Sequence, residues 1–208
     1  MPADEHVERL PRPADGRVLW RARGAAPVRG PRLTLTPPDC VHCGRLAGIQ
    51  RTDTLLREQL RHSPDYPAGL DLSDGVAFSR SLRAWCEHRH GVPYAILGPD
   101  ADPVGLIALW GLEPGAPAGT VGFWLGSAAW GHSYGGEALA LLVRHAVGLR
   151  LERFEGRVPR VQRAAWRAWS RLGARVSEDA SPGIFRCALD ATGHGFDAAL
   201  AAALRGGG

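Results

Sequence analysis

The sequence predicts an α/β or α+β domain with a mixed sheet, and three patterns support this class. Short apolar strands follow one another between Pro93 and Leu125, a glycine-rich turn then opens an amphipathic helix, and strands and helices alternate after that helix. Neighbouring strands joined by short turns form an antiparallel meander. The later alternation indicates that helices cover the sheet.

The first elements are predicted from alternation and capping signals. Leucine alternates with threonine over 33–36, which is typical of a strand, and the two prolines that follow end it. Asp39 then provides the cap of a helix that extends to about Gln50. Two further helices are predicted at 52–62 and at about 79–89, separated by a loop rich in proline and acidic residues.

The remaining elements are short apolar runs bounded by turn residues. Gly173 ends the last predicted helix of the domain, 161–172. The predicted strands are 93–97, 104–110, 119–125, 151–158, 174–177 and 183–189.

The helix after the glycine turn carries one apolar stripe and therefore has a buried face. Glu137 in its first turn, and Arg144 and His145 in its last, match the helix dipole, and Gly148 is its predicted end. The stripe has the spacing i, i+3, i+4, i+7 and consists of Leu139, Leu142, Val143 and Ala146.

The turn itself is the most informative feature. Residues 119–136 read GTVGFWLGSAAWGHSYGG, a short strand followed by glycines at the start of a helix. The first N–H groups of a helix have no partner within it and carry the positive end of its dipole, so they stabilise an anion without a cationic side chain. Gly131, Gly135 and Gly136 lack a Cβ, which lets a phosphate approach the backbone. This layout predicts a bound pyrophosphate.

Composition restricts the class of protein. The chain has 208 residues, of which 45% are hydrophobic and seven are Trp, enough for one domain with its own core. No stretch is apolar enough for a membrane span, and the N-terminus lacks the apolar core of a signal peptide, so we expect a cytoplasmic protein without a membrane partner. All 25 basic residues are Arg, yet the net charge is only +4. This balance permits an anionic ligand and does not require nucleic acid.

Three regions are predicted along the chain. Residues 1–28 are rich in Pro, Arg, Gly and Ala without periodicity, which is typical of a flexible extension. Residues 29–190 form the domain. Residues 191–208 form an Ala- and Gly-rich tail that is compatible with a short helix and with a homodimer.

Between Arg32 and Leu189 the order of elements and five motifs resemble the GCN5-related N-acetyltransferase (GNAT) family. The motifs are RLTL, VGFWL, WGHSYGGEAL in place of the family's WGKGYATEAL, LERFEGRV, and SRLGA where the family has EKLGF. They are most similar to the ribosomal-protein alanine acetyltransferase branch (RimJ/RimL type), which also includes drug- and metabolite-modifying enzymes. Five motifs in the right order and spacing are much more specific than any one of them.

The resemblance implies a fold and a reaction. The GNAT fold is a mixed, mostly antiparallel sheet of six or seven strands, flanked by helices, in which central parallel strands splay apart. The implied reaction is transfer of an acyl group from acetyl-CoA, or another acyl-CoA, to the primary amine of a small molecule, a drug or a protein N-terminus, by direct attack in a ternary complex. The alternative is a catalytically weak or inactive member that binds acyl-CoA as a sensor or interaction module.

The resemblance also assigns contacts to the cofactor. The pyrophosphate would lie on the backbone of the glycine turn, and the pantetheine arm along the end of the VGFWL strand, where unpaired backbone groups can bind amides. Gln162 replaces the family's usual Asn. For the side chains of Phe123 and Trp124, core packing is the stronger expectation. The implied contacts are Phe123, Trp124, Leu125, Gly131, His132, Ser133, Tyr134, Gly135, Gly136, Gln162 and Trp169.

Several residues depart from the family pattern. A Ser three positions or a Tyr seven positions after the Asn usually returns a proton to the departing thiolate, and these positions are Ala165 and Trp169 here. Neither side chain is an acid, and general acid catalysis typically contributes about 100- to 10,000-fold, so its absence slows the reaction without forbidding it. In the turn, Trp130 stands at a position that is often Gln or Arg in the family, and Ser133 replaces the usual Gly and is a candidate helix cap.

The attack needs a base, because only a neutral amine is nucleophilic. Glu113, in the loop before the VGFWL strand, is the first candidate for this catalytic role. Asp53, Asp65 and His62 lie in the helical region that forms the acceptor side in the family, and they are the alternatives. A solvated loop carboxylate is the plainer interpretation of Glu113.

Two further clusters are interpreted as structural. Cys and His residues in two helices have zinc-ligand types, but the thiols of the first helix share one face and are typical of small buried hydrophobes, so we expect neither a metal site nor disulfides. Four arginines form a basic face, for which solvation is favoured over an acidic partner or the coenzyme's 3′-phosphate. The first cluster is Cys40, His42, Cys43, Cys86, His88 and His90, and the second is Arg160, Arg163, Arg167 and Arg171.

Overall fold

The protein folds around one mixed sheet flanked by helices, in a computed structural model that describes residues 26–65, 69–113 and 115–205. The strands of these residues, β1 to β8, are Val28–Arg29, Thr34–Thr36, Val92–Leu97, Pro103–Trp110, Ala118–Leu125, Arg153–Pro159, Arg175–Glu178 and Ile184–Asp190. The helices, α1 to α6, are Cys40–Thr52, Thr54–Arg61, Gly75–His88, Tyr134–Gly148, Arg163–Arg171 and Phe196–Leu204.

The sheet has the order β1-β2-β3-β4-β5-β6-β8-β7, and only the β5–β6 pair is parallel. The predicted meander is confirmed, because β3, β4 and β5 are antiparallel neighbours. The predicted class, a mixed and mostly antiparallel sheet with flanking helices, is also confirmed. The sheet has eight strands where the resemblance implied six or seven.

The additional strand is β1, which lies at the end of the expected N-terminal extension. Val28 and Arg29 pair with Leu35 and Thr34 of β2. Two residues carry no alternation that a sequence pattern can register, so only the pairing with β2 defines this strand. The rest of the expected extension, 1–25, lies outside the described residues.

The parallel strands β5 and β6 pair over a short distance and then part. Their register joins Ala118 to Arg153, Gly119 to Phe154 and Thr120 to Glu155. Beyond these three pairs, β5 continues beside β4 to Leu125, and β6 continues beside β8 to Pro159. The implied splay of the central parallel strands is therefore present.

Apolar layers cover both faces of the sheet. Helices α4, α5 and α6 pack on one face, and α1 and α3 pack on the other together with Leu56 of α2. Helix α4 is buried on more than the predicted stripe, because β1, β2 and α6 also contact it. Its fully buried residues include Ala138, Ala140 and Leu141 in addition to the four predicted ones.

Capping residues explain where two helices begin. The Asp39 carboxylate accepts a hydrogen bond from the N–H of His42 at 2.8 Å, so the predicted cap of α1 is confirmed. Helix α3 begins at Gly75, earlier than the predicted start at about 79. Asp74 causes this difference, because its carboxylate accepts hydrogen bonds from the N–H groups of Val76 and Ala77, both at 2.8 Å.

A buried carboxylate joins the N-terminal segment to the start of α4. Glu137 is only 1% exposed. Its Oε1 accepts hydrogen bonds from the backbone N–H groups of Arg32 at 2.9 Å and Leu33 at 3.0 Å, and its Oε2 accepts one from Nε of Arg32 at 2.8 Å. The sequence predicted for Glu137 only an interaction with the helix dipole. The structure adds a tertiary link that orients the first turn of α4.

None of the helices in the described residues is both long and apolar enough to cross a bilayer. The C-terminal tail contains α6, whose first residue, Phe196, is buried in the core beside α4.

We expect Glu137→Ala to destabilise the protein by about 1–3 kcal/mol, because it leaves buried N–H donors without an acceptor. The midpoint of urea unfolding measures this change. Glu152→Ala removes an exposed carboxylate just before β6 and is the control, with an expected change below about 0.5 kcal/mol. Equal effects of the two substitutions would contradict the proposed importance of the link.

Candidate active site

The glycine turn between β5 and α4 presents free main-chain donors. A short 3₁₀ turn, Ser127–Ala129, follows β5, and the chain then takes left-handed angles at Gly131 (φ 81°) and Ser133 (φ 60°) before α4 begins at Tyr134. In the described part of the chain, the N–H groups of Tyr134, Gly135 and Gly136 have no acceptor. These groups are therefore available to an anion at the positive end of the helix.

Ser133 does not cap this helix. It occupies the N-cap position, but its side chain accepts no hydrogen bond from the first turn. An N-cap residue normally has extended backbone angles, whereas Ser133 is left-handed. The expectation that Ser133 caps α4 was therefore wrong, and the serine leaves the helix amides unoccupied.

Two glycines of the turn are required by geometry. Gly131 has a positive φ that L-residues rarely adopt. At Gly135 a Cβ would lie 2.9 Å from the ring of Phe123, so only glycine lets the helix start this close to the end of β5. Gly136 has more space, because its nearest contact would be the Cβ of Ala168 at 3.8 Å.

Hydrogen bonds hold the turn in place. The indole N–H of Trp130 donates to the carbonyl of Leu125 at 2.8 Å, and Nη1 of Arg32 donates to the carbonyl of His132 at 2.9 Å. The ring of His132 stacks on Tyr134 with centroids 5.3 Å apart. A cavity of about 630 Å³ reaches the turn at Ser127, His132 and Tyr134, so this part of the surface is open.

A second, narrower cavity lies where β5 and β6 part. Its walls come from β4, β5, β6, α2, α3 and α5. Phe123 and Trp124, both predicted contacts, line this cavity from opposite faces of the sheet: Phe123 packs against the α4 side and Trp124 against the α1–α3 side. Trp124 is buried, and its indole N–H has no hydrogen-bond partner among the described residues.

The residues at the start of α5 also line this cavity. Gln162 precedes the helix and donates from Nε2 to the carbonyl of Gln59 at 3.4 Å, while Ala165 lies one turn later. Trp169 is 1% exposed, and its ring lies flat against β6 at Gly156, where a Cβ would come within 2.6 Å of it. Glycine at this position lets the indole enter the space between the strands.

Three of the four candidate bases lie away from this cavity or are held by other groups. The side chain of Glu113 is 59% exposed, lies 4.0 Å from His90, and lines neither cavity. His62 is exposed and lies 3.3 Å from Glu58. Asp53 accepts hydrogen bonds from the N–H groups that follow it at Leu56 (3.0 Å) and from Ser127 (2.6 Å).

The pKa of Asp53 reflects these bonds. Burial alone would raise the pKa of this carboxyl, but the hydrogen bonds from Leu56 and Ser127 together hold it below its ordinary value. Asp53 therefore connects α1, α2 and the glycine turn as a fixed anion and is poorly suited to accept a proton.

Asp65 is the candidate base that lines the cavity. Its carboxylate is 19% exposed and lies 3.6 Å from Nη1 of Arg157 on β6. Burial raises the pKa of the Asp65 carboxyl, and the positive charge of Arg157 offsets part of this effect. A raised pKa makes a carboxylate a stronger base, so Asp65 is better suited to accept a proton than Asp53, whose pKa is lowered.

Sequence reasoning missed Arg157, the partner of Asp65, and the residues that Arg157 itself contacts. The Arg157 guanidinium donates to Asp179 at 3.1 Å and to the hydroxyl of Ser181 at 2.8 Å. The hydrogen bond from Arg157 lowers the pKa of the Asp179 carboxyl. Arg157 belongs to the LERFEGRV motif, but no local pattern indicates that a loop from another part of the chain supplies its partners.

The two remaining clusters are the Cys and His residues and the arginines of the basic face. Among the described residues no group of three His, Cys, Asp or Glu side chains is placed to hold a metal ion, and all four cysteines are free thiols. Cys43 is buried as expected, whereas Cys40 is exposed. In the basic face of α5, Arg160 pairs with Glu178 at 3.4 Å, and Arg163, Arg167 and Arg171 are exposed.

The fold and the site define an acyltransferase architecture. The N-terminus of α4, with its available N–H groups, lies beside the point where the parallel strands β5 and β6 separate. The sequence profile of the acetyltransferase (GNAT) domain matches residues 32–175, and the chain belongs to this family. The predicted family is therefore confirmed. No curated protein sequence matches the chain.

Solved structures of acetyltransferases share the fold. RimJ of Mycobacterium smegmatis, in complex with CoA-disulfide, is 20% identical, with a TM-score of 0.64 over 86% of this chain and 93% of that one. RimL, a ribosomal L7/L12 alpha-N-protein acetyltransferase in complex with coenzyme A, is 17% identical, with a TM-score of 0.65 over 79% and 98%. The microcin C7 self-immunity acetyltransferase MccE, in complex with acetyl-CoA and AMP, is 13% identical, with a TM-score of 0.61 over 77% and 93%.

We expect Arg157→Leu to raise the pKa of Asp65 further, because it removes the cation that opposes the effect of burial. The pKa of Asp179 is expected to rise as well, since Arg157 donates its hydrogen bond. A carbon-detected NMR titration of side-chain carboxyls measures both values. Arg160→Leu, which removes an exposed ion pair with Glu178, is the control and leaves both unchanged. A lower pKa of Asp65 in Arg157→Leu would contradict the electrostatic account.

Proposed function

We propose that the protein is an acyl-CoA-dependent N-acyltransferase, most simply one that transfers acetyl from acetyl-CoA to a primary amine in a ternary complex. The observation that carries this proposal is the position of the free N–H groups of α4 directly beside the gap between β5 and β6. Related folds crystallised with coenzyme A or acetyl-CoA support the choice of donor.

The main chain would bind most of the donor. The pyrophosphate would accept hydrogen bonds from the amides between Gly131 and Gly136, where the helix dipole favours negative charge. The pantetheine arm would lie along β5 at Phe123 and Trp124, whose edge β6 has left unpaired. The carbonyl of Leu125 already accepts the bond from Trp130, and Gln162 supplies an amide on the opposite side of the gap.

The base would be Asp65, acting directly or through a water molecule. It lines the cavity into which the thioester end of the arm would point, and the attacking amine must lose a proton there. Glu113, the first candidate from the sequence, lies outside that cavity, and so this proposal transfers the role to Asp65.

Among the described residues, the two positions that hold the general acid in the family carry no acidic side chain to protonate the departing thiolate. The positions that carry this acid in the family are Ala165 and Trp169, and both line the cavity. The thiolate would then leave as the anion or take a proton from water, which predicts slow turnover. This same observation favours the second candidate function, an acyl-CoA-binding module with weak or no catalysis.

Two assays separate these candidates. Thiol release from acetyl-CoA that depends on an added amine supports the enzyme. Thermal stabilisation by acetyl-CoA without amine-dependent release supports the binding module. Absence of both responses would reject both candidates.

We expect Trp169→Tyr to raise kcat at least about tenfold, because a phenol at this position supplies the missing acid. Saturating acetyl-CoA and amine isolate kcat, and a melting curve verifies that the variant is folded. Trp166→Tyr makes the same change one turn earlier, where the indole donates to the carbonyl of Arg160, and is the matched control. A folded Trp169→Tyr protein with unchanged or lower kcat would count against the missing-acid explanation.

We expect Gly136→Asp to abolish binding of coenzyme A, because it places a carboxylate against the diphosphate. Gly136 is a cleaner site for this test than Gly135, where any side chain meets the Phe123 ring. Isothermal titration with coenzyme A measures the affinity. Gly148→Asp, at the exposed far end of the same helix, is the control and retains binding. Unchanged affinity in Gly136→Asp would refute the position assigned to the pyrophosphate.

A further inference from the structure

We propose that the acceptor is a compact primary amine with an apolar, preferably aromatic, body whose ammonium group approaches Asp65. This inference rests on the proposed function and names the substrate class for the same site. It follows from the apolar side chains and the single carboxylate that line the cavity at the gap between β5 and β6.

Large apolar side chains form much of the cavity wall. Trp85 of α3 and Trp110 of β4 meet edge to face, with ring centroids 5.3 Å apart and an interplanar angle of 69°. Trp110 packs against Gly122 of β5, where a Cβ would come within 2.6 Å of its ring. The apolar wall is completed by Leu60, Leu82 and Leu106. Such a surface stabilises an apolar ring in proportion to the area removed from water.

The charged side chains in the cavity lining are Asp65 and Arg157. The Arg157 guanidinium is shared between Asp65 at 3.6 Å and Asp179 at 3.1 Å, so one cation serves two carboxylates. Arg89 also acts on Asp65, but it is exposed and lies beyond ion-pair distance, so solvent screens its charge. An ammonium ion that approaches Asp65 would form a second charged contact with this carboxylate, beside Arg157.

A buried donor indicates that this cavity is built for a ligand. The indole N–H of Trp124 has no hydrogen-bond partner in the described part of the chain, although the residue is only 7% exposed. Buried polar groups normally have partners, and an oxygen atom of the bound substrates would supply one here.

The same walls disfavour a polypeptide. A peptide N-terminus places amide N–H and C=O groups immediately behind the amine, and each of these groups needs a partner when buried. The leucines of the apolar wall offer no partner and its indoles offer only N–H donors, so a peptide N–H that faces this wall finds no acceptor there. A small amine with a ring behind its methylene groups has no such requirement.

The test compares kcat/KM for 2-phenylethylamine, ethylamine and a peptide with N-terminal Ala, each with acetyl-CoA. We expect 2-phenylethylamine to exceed both others at least about tenfold, because the ring buries apolar area that ethylamine lacks. Trp85→Ala is expected to reduce the ratio of 2-phenylethylamine to ethylamine several-fold. Asp65→Asn is expected to lower kcat/KM for both amines, whereas the remote Asp197→Asn on α6 leaves both unchanged.

The outcomes distinguish this inference from the proposed function. A higher kcat/KM for the peptide, or equal values for the two amines, overturns the inference while acyl transfer to an amine stands. Acetyl-CoA that binds but releases no thiol with any of the three acceptors overturns the proposed function, and the inference falls with it.

Discussion

The short parallel pairing of β5 and β6 is the constraint on which the rest of the site depends. Three residue pairs join the strands, after which each strand follows a different neighbour. The separation leaves one edge of β5 without a partner and opens the cavity between the sheet and α5. Trp169 enters that space only because β6 has a glycine at Gly156. A longer parallel ladder would close the site.

A second requirement is the orientation of α4, since its first amides must face the gap. Glu137 fixes this orientation from inside the helix through three hydrogen bonds to Arg32 and Leu33. Arg32 in turn donates to the carbonyl of His132 within the glycine turn. The N-terminal segment thus helps to position the first turn of α4, a helix that lies far along the sequence. Because Glu137 is buried, the loss of any of its hydrogen bonds is costly.

Donor and acceptor would be recognised by different kinds of groups. The donor side consists of main-chain amides and the edge of a strand. These backbone groups are present with almost any side chains around them. The acceptor side consists of side chains, namely the indoles and leucines of the wall and Asp65 beside Arg157. This division explains why residues of the chain resemble a broad family at the turn but give no local signal of the acceptor.

The sequence by itself determined most of the elements and the family, because those signals are local. Asp39 caps its helix three residues away, the strand–turn–helix at the glycine turn is encoded in one continuous stretch, and the meander is bounded by its own turns. Only the tertiary structure brought Asp65 to Arg157 and Asp179, and only it placed Glu113 outside the cavity. Distances between side chains on remote elements depend on sheet register and packing, and no periodicity in the chain encodes them.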